Sequence, residues 1–251
     1  MKMPHEFEVR KEVTLDATPD EVWDLIATGP GIDTWFMGHN EVEPREGGVA
    51  SMEMGGMTQE STITAWEPGR RFALRGQEYP DGTVHAFEYL IEGREGGSTV
   101  LRLVHSGFLG SETWEAEMGG MEVGWNMYLD KMREYFEYFR GRVATGVFAA
   151  AEPKEADRGR IMAMLQDALG VGGGAAVGDE VTLTPEGMPP IEGTVDYMSP
   201  DFFGVRTDDA TYRFVRGWND TAVLGHNLFA GDVEGQEAEK SWQNWLSGVF
   251  A

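Results

Sequence analysis

The sequence predicts an α+β protein: a curved antiparallel sheet closing on one long amphipathic helix, with a smaller α+β appendage behind it. Three observations predict this. From Glu115 to Arg140, Met118, Trp125, Met132 and Phe139 recur every seven residues, Met121, Tyr128 and Tyr135 fall three later, and Leu129 and Phe136 four later. That spacing lays large side chains along one stripe of a 3.6-residue helix. Between Val49 and Phe108, short alternating segments are separated by explicit turns. After Phe139 the chain turns to Gly-rich connectors and short segments of both periods.

The elements follow in order. Phe7, Val9, Val13 and Leu15 alternate as a first strand, although Lys11 interrupts its apolar face. Thr18-Pro19-Asp20-Glu21 starts a helix: Thr18 can cap the Glu21 amide, Glu21 can reach back, and Pro19 suits the first helical position. Val22, Trp23, Leu25 and Ile26 give that helix its apolar side, Gly29-Pro30-Gly31 ends it, and Ile32–Phe36 reads as a short second helix or turn. Strands are expected at Val49–Met54, Gln59–Trp66, Arg71–Arg75, His85–Glu92 and Ser98–Ser106, punctuated by Gly55-Gly56, Glu67-Pro68-Gly69, Pro80-Asp81-Gly82 and Gly96-Gly97. Short sequential connections make this sheet an antiparallel meander. The first domain should span residues 1–145, with a linker and short helix over 146–176. The short helix would run from Asp157 to Leu169. A β-rich unit over 177–251 then carries strands at Glu180–Thr184, Ile191–Met198, Phe202–Thr207 and Thr211–Val215 and closes in a helix from Glu237 to Phe250. No internal repeat is visible.

The net charge of −23 comes from 43 acids against 20 bases. Without clustered Lys and Arg, the chain lacks what phosphate backbones and anionic membrane surfaces select, so neither nucleic acid nor membrane is an expected partner. There is no cysteine, which excludes disulfides, thiolate nucleophiles and Cys-based zinc sites. The amino terminus lacks a signal-type apolar stretch and no run of about 18 apolar residues occurs, so a cytoplasmic location is expected.

Four segments resemble a known family. Ala17-Thr18-Pro19-Asp20-Glu21-Val22-Trp23 with Trp35-Phe36, Glu67-Pro68-Gly69-Arg70-Arg71-Phe72, Thr99 through Phe108 (TVLRLVHSGF), and Gly124-Trp125 with Leu129 are similar, in order, to START-like (SRPBCC) domains of the heat-shock-protein ATPase activator-homologue type. The resemblance covers roughly residues 6–140. It implies a helix-grip fold, a curved antiparallel sheet wrapped around a long carboxy-terminal helix that encloses a cavity. Such proteins include carriers of apolar small molecules, polyketide aromatase/cyclases, antibiotic self-resistance proteins and co-chaperones, and they share no universal catalytic residue.

The residues themselves narrow the chemistry. His5, His39, His85, His105 and His226 show no ligand spacing, so no metal is expected. Ser106 follows His105 directly, and on a strand the two point to opposite faces, which rules out a nucleophile–base pair. Gly47-Gly48 and Gly172-Gly173-Gly174 lack the phosphate-loop pattern, and no cofactor is expected. What remains is a concave apolar interior lined by Met52, Met54, Phe72, Leu74, His85, Phe87, Tyr89, Leu103, His105, Trp125, Tyr128 and Met132. For each apolar member packed core is the commoner role. The expected function is binding of a small apolar or aromatic molecule. A cyclase or hydratase would instead use His105 with Tyr128 or Tyr89 as acid–base groups. A third alternative is a protein-interaction module, a chaperone-ATPase regulator or self-associating protein, using the acidic surface with Trp218, Trp242 and Trp245.

Overall fold

Strand alternation sets the architecture of the first unit. In the computed structural model, which describes residues 4–217, 220–231 and 233–251, the chain divides into a unit ending at Gly141 and a unit beginning at Arg142. The first unit runs β1 (His5–Leu15), α1 (Pro19–Ala27), α2 (Gly29–Ile32), β2 (His39–Val42), β3 (Val49–Met54), β4 (Met57–Glu67), β5 (Arg71–Gly76), β6 (Val84–Gly93), β7 (Thr99–Leu109) and α3 (Trp114–Glu134). A π-helical turn, Tyr135–Phe139, extends α3. The strands form one antiparallel sheet in the order β1-β7-β6-β5-β4-β3-β2, so the meander ends beside the strand that began it. This is the helix-grip architecture.

Register carries the apolar face across the sheet. Val9 stands opposite His105, His105 opposite Phe87, Phe87 opposite Leu74, and Leu74 opposite Ile63. One step along, Lys11, Leu103, Tyr89 and Phe72 form a second row. Lys11 therefore does lie on the inner face, but on an edge strand where its stem is only half-buried. Against this face pack Val22, Leu25 and Ile26 of α1 and Trp125, Leu129, Met132 and Phe136 of α3 and its extension.

The expected capping box is present: Thr18 accepts from the Glu21 amide and Glu21 accepts from the Thr18 amide at 2.8 Å. Gly29-Pro30-Gly31 does more than end α1. Thr28 caps a new turn by accepting from the Gly31 amide, and α2 is built from the glycines and proline themselves. Glycine is needed there, because a Cβ on Gly31 would lie 2.0 Å from the Asp24 carbonyl oxygen. Strand β2 was not expected; it is held by Asn40, whose amide and side chain both donate to buried Asp33.

The second unit departs more from expectation. The stretch read as a linker contains β8 (Thr145–Ala151), a sheet strand, followed by a 3-10 turn and α4 (Ile161–Ala168). Then come β9 (Glu180–Leu183), β10 (Ile191–Ser199), β11 (Phe202–Arg206), β12 (Ala210–Arg216), the unexpected β13 (Ala222–Leu228) and α5 (Gly235–Val249). The sheet order is β8-β13-β12-β11-β10-β9. The path is thus that of the first unit, one strand shorter: strand, helix, antiparallel meander returning to the first strand, closing helix. The architecture repeats although the sequence does not.

Candidate functional site

The inner face of β6 and β7 brings His85, Phe87 and His105 together beneath Trp125 of α3. The strands approach closely because residue 107 is glycine: a Cβ there would lie 1.9 Å from the Val84 carbonyl oxygen. The Trp125 indole N–H donates to His105 Nδ1 at 3.0 Å, and His105 Nε2 lies 3.0 Å from His85 Nδ1. Three side chains from two strands and a helix are thereby joined in one hydrogen-bonded chain, buried at Trp125 and His105 and half-buried at His85.

Aromatic rings surround it. Phe87 stacks on His105 with centroids 4.2 Å apart, Phe7 meets the edge of His105 at 5.1 Å, and Phe36 stacks on Trp125 at 6.0 Å. Tyr128 joins through Phe36 at 4.6 Å and Trp125 at 6.1 Å. Removing an imidazolium from water is costly, so burial holds His105 down to about 3, with the neighbouring His85 adding to the effect. Burial also lowers His85, partly opposed by the negative charge of Glu117. Glu117, on the first turn of α3, accepts from the hydroxyls of Ser111 and Thr113. Burial raises the hydroxyls of Tyr89 and Tyr128 well above the ordinary tyrosine range, so both stay protonated.

The structure sorts the expected lining residues. Phe72, Leu103 and Met132 are 1%, 1% and 0% exposed and serve as packed core, as does Tyr89, which stacks on Phe72. Leu74, His85, Phe87 and Tyr128 face inward yet are only half-buried. Met52 and Met54 stand at the far end of β3, half-buried and outside the apolar cluster of the unit. No hydrogen bond links His105 to Tyr89 or Tyr128; both of its ring nitrogens are taken by Trp125 and His85. Sequence reasoning missed Phe36 and Glu117. Phe36 lies in a turn with no periodicity to mark its direction, and Glu117 was one acid among many at the start of a helix.

The remaining histidines have structural surroundings. His5 stacks on Trp114 at 4.6 Å, and His39 pairs with Asp33 at 2.9 Å. In the second unit, His226 on β13 packs against Trp242 of α5 at 4.5 Å and its Nδ1 accepts from the Arg213 amide. This His–Trp pair takes the topological place of His105 and Trp125: each histidine lies on the last strand, opposite a valine of the first, Val147 or Val9. The two pairs are enclosed to a similar degree, at 1% and 4% exposure for His226 and Trp242 and 5% each for His105 and Trp125. Trp242 and Trp245 are buried, so neither offers a surface to a protein partner, and Trp218 lies outside the described residues. Among the described residues no group of acidic or histidine side chains is arranged to hold a metal, and no helix is long and apolar enough to cross a membrane.

Comparison with solved structures finds matches at low identity. CalU16 from Micromonospora echinospora is 24% identical over 54% of this chain and 87% of its own, with a TM-score of 0.41. The Aha1 dimer from Colwellia psychrerythraea is 15% identical over 54% and 99%, with a TM-score of 0.46. DynU16, from a dynemicin biosynthetic locus, is 16% identical over 97% of this chain and 95% of its own, with a TM-score of 0.46. Among curated proteins none matches. Residues 16–137, most of the first unit, match the model of the family described as Activator of Hsp90 ATPase homolog 1-like protein, and over that stretch the chain is similar to this family.

Proposed function

We propose that the first unit binds a small, largely apolar or aromatic molecule between the inner face of its sheet and α3. The observation that carries this reading is the half-buried state of Leu74, Phe87, His85 and Tyr128. Three of them sit on interior strands and face the helix, yet they keep accessible surface while Phe72, Leu103 and Met132 beside them keep almost none. Burying about 300 Å² of apolar ligand surface there is worth on the order of 7 kcal/mol. Association costs of several kcal/mol leave roughly micromolar to millimolar binding without a charged anchor.

The same groups favour a binder over a cyclase. A general base needs a free nitrogen and a pKa near the working pH. His105 has neither, because both nitrogens are engaged and burial keeps it neutral. The two tyrosines are held as phenols. The chaperone-regulator alternative loses two of the three tryptophans it invoked, since Trp242 and Trp245 are core.

Titration of the full-length protein with naphthalene, followed by calorimetry, tests the reading. Saturable binding is expected, weakened about tenfold or more in Leu74→Trp, whose larger ring fills the space. Native mass spectrometry of protein purified from its own host should find a small molecule retained. Non-saturable uptake that Leu74→Trp leaves unchanged overturns the reading.

A further inference from the structure

We infer that the ligand class is a neutral aromatic molecule carrying an oxygen acceptor, an aromatic ketone or phenol, because the Trp125–His105–His85 chain admits one polarity and ends in a donor. This ligand class presupposes the binding site proposed above. An indole nitrogen can only donate. His105 Nδ1, which receives it at 3.0 Å, therefore carries no hydrogen. A neutral imidazole with a bare Nδ1 holds its hydrogen on Nε2. That hydrogen points at His85 Nδ1, 3.0 Å away, which must accept it. Neutral His85 then carries its own hydrogen on Nε2, the one nitrogen in the three rings that the chain does not use.

A second proton cannot enter this chain without setting two N–H groups against each other or stripping the Trp125 N–H of its acceptor. Burial opposes it as well, acting on both histidines. The terminal His85 N–H is therefore a fixed donor, in a ring with Phe7 against its edge at 5.6 Å and bordering half-buried Phe87 through His105. His85 is half-buried, so a ligand that covers it strips this N–H of water, and a ligand oxygen that accepts from it removes that cost.

The charge nearby decides which oxygen. Glu117 acts on His85 with its negative charge and already holds the Ser111 and Thr113 hydroxyls. Its field disfavours a carboxylate or phenolate in the same space. An ammonium group would be attracted by Glu117 but has no lone pair for the His85 N–H. A neutral carbonyl or phenol oxygen meets both conditions, while its rings meet Phe36, Phe87 and Tyr128.

Three probes of one ring system test this on the full-length protein by calorimetry: naphthalene, 1-acetylnaphthalene and 1-naphthylmethylammonium. The ketone should bind about tenfold more tightly than naphthalene, and in His85→Phe the ratio of the two affinities should fall to about one. Nitrogen-15 ring shifts of the wild-type protein provide a measurement free of any variant, and both His85 and His105 should register as neutral Nε2–H tautomers. Equal affinity for ketone and naphthalene, tightest binding of the ammonium, or an Nδ1–H tautomer at His85 would overturn the assigned polarity alone. Failure of all three probes to bind would remove the site itself, and the ligand class with it.

Discussion

His105 concentrates the chemistry of the first unit in one side chain. Its neutral form is stabilised by the indole N–H on one nitrogen and His85 on the other, and its charged form is penalised by burial. The consequence for stability has a definite sign. The folded ring titrates at about 3 and the free one at 6.5, so as pH falls the unfolded chain takes up the proton first. The contribution is complete above about 6.5 and is lost progressively toward about 3, by on the order of a few kcal/mol. Urea unfolding measured from about pH 7 to about pH 4 should therefore show a falling stability, and His105→Phe should make that fall shallower. An equally steep fall in the variant would assign the acid sensitivity to other groups. At neutral pH the same variant should cost about 1–3 kcal/mol, because the buried Trp125 N–H is left without an acceptor.

At the scale of elements, the first helix is fixed by its ends. The capping box joins Thr18 and Glu21, and Arg140, just past the π-helical turn, donates to Glu21 at 3.1 Å and to the Asp16 carbonyl. The Thr18 amide and then its hydroxyl and Arg140 hold the Glu21 carboxyl below the usual range. Thr18→Ala should cost about 1 kcal/mol in chemical denaturation, by freeing the Glu21 amide from its cap. A change within error would mean that Arg140 alone holds the start of α1. The strands were legible because alternation is local: Leu101, Leu103 and His105 were placed on the buried face by period alone, and all three are buried. Strand β2 was not legible, since HNEV has one apolar residue and its strand character comes from pairing with β3 and from Asn40 binding Asp33.

At the scale of the whole molecule, the two units follow one topology with different interiors. In the first, inward-facing residues keep accessible surface; in the second, Phe203, Phe214, His226 and Leu246 are almost wholly enclosed. An Arg213–Asp196 ion pair at 2.9 Å is buried there too, with 1% and 5% of its side chains exposed. Breaking such a pair by truncating one partner is costly, because it leaves the other charge buried and uncompensated. Trp242→Ala should lower the stability of that unit by about 3–5 kcal/mol, seen as an earlier unfolding transition. Affinity for naphthalene should stay unchanged below that transition, because the proposed site draws only on residues of the first unit. Loss of naphthalene binding in a still-folded Trp242→Ala protein would assign the second unit a part in the site.

The sequence by itself determined the long helix, its apolar stripe, most strands of the first sheet and the face on which His85, Phe87, His105 and Trp125 lie. These follow from periodicity and end signals, which act within a few residues of chain. Only the tertiary structure decided that the same residues form a directed hydrogen-bonded chain, that Phe36 and Glu117 belong beside it, and that Met52 and Met54 do not. It alone made a strand of TGVFAAA and of AVLGHNL: the first is built largely of small side chains, the second is interrupted by Gly225, and both become strands by pairing with each other. Backbone hydrogen bonds between segments distant in the chain, Ala151 with Ala222 and Thr145 with Leu228, leave no local pattern to read.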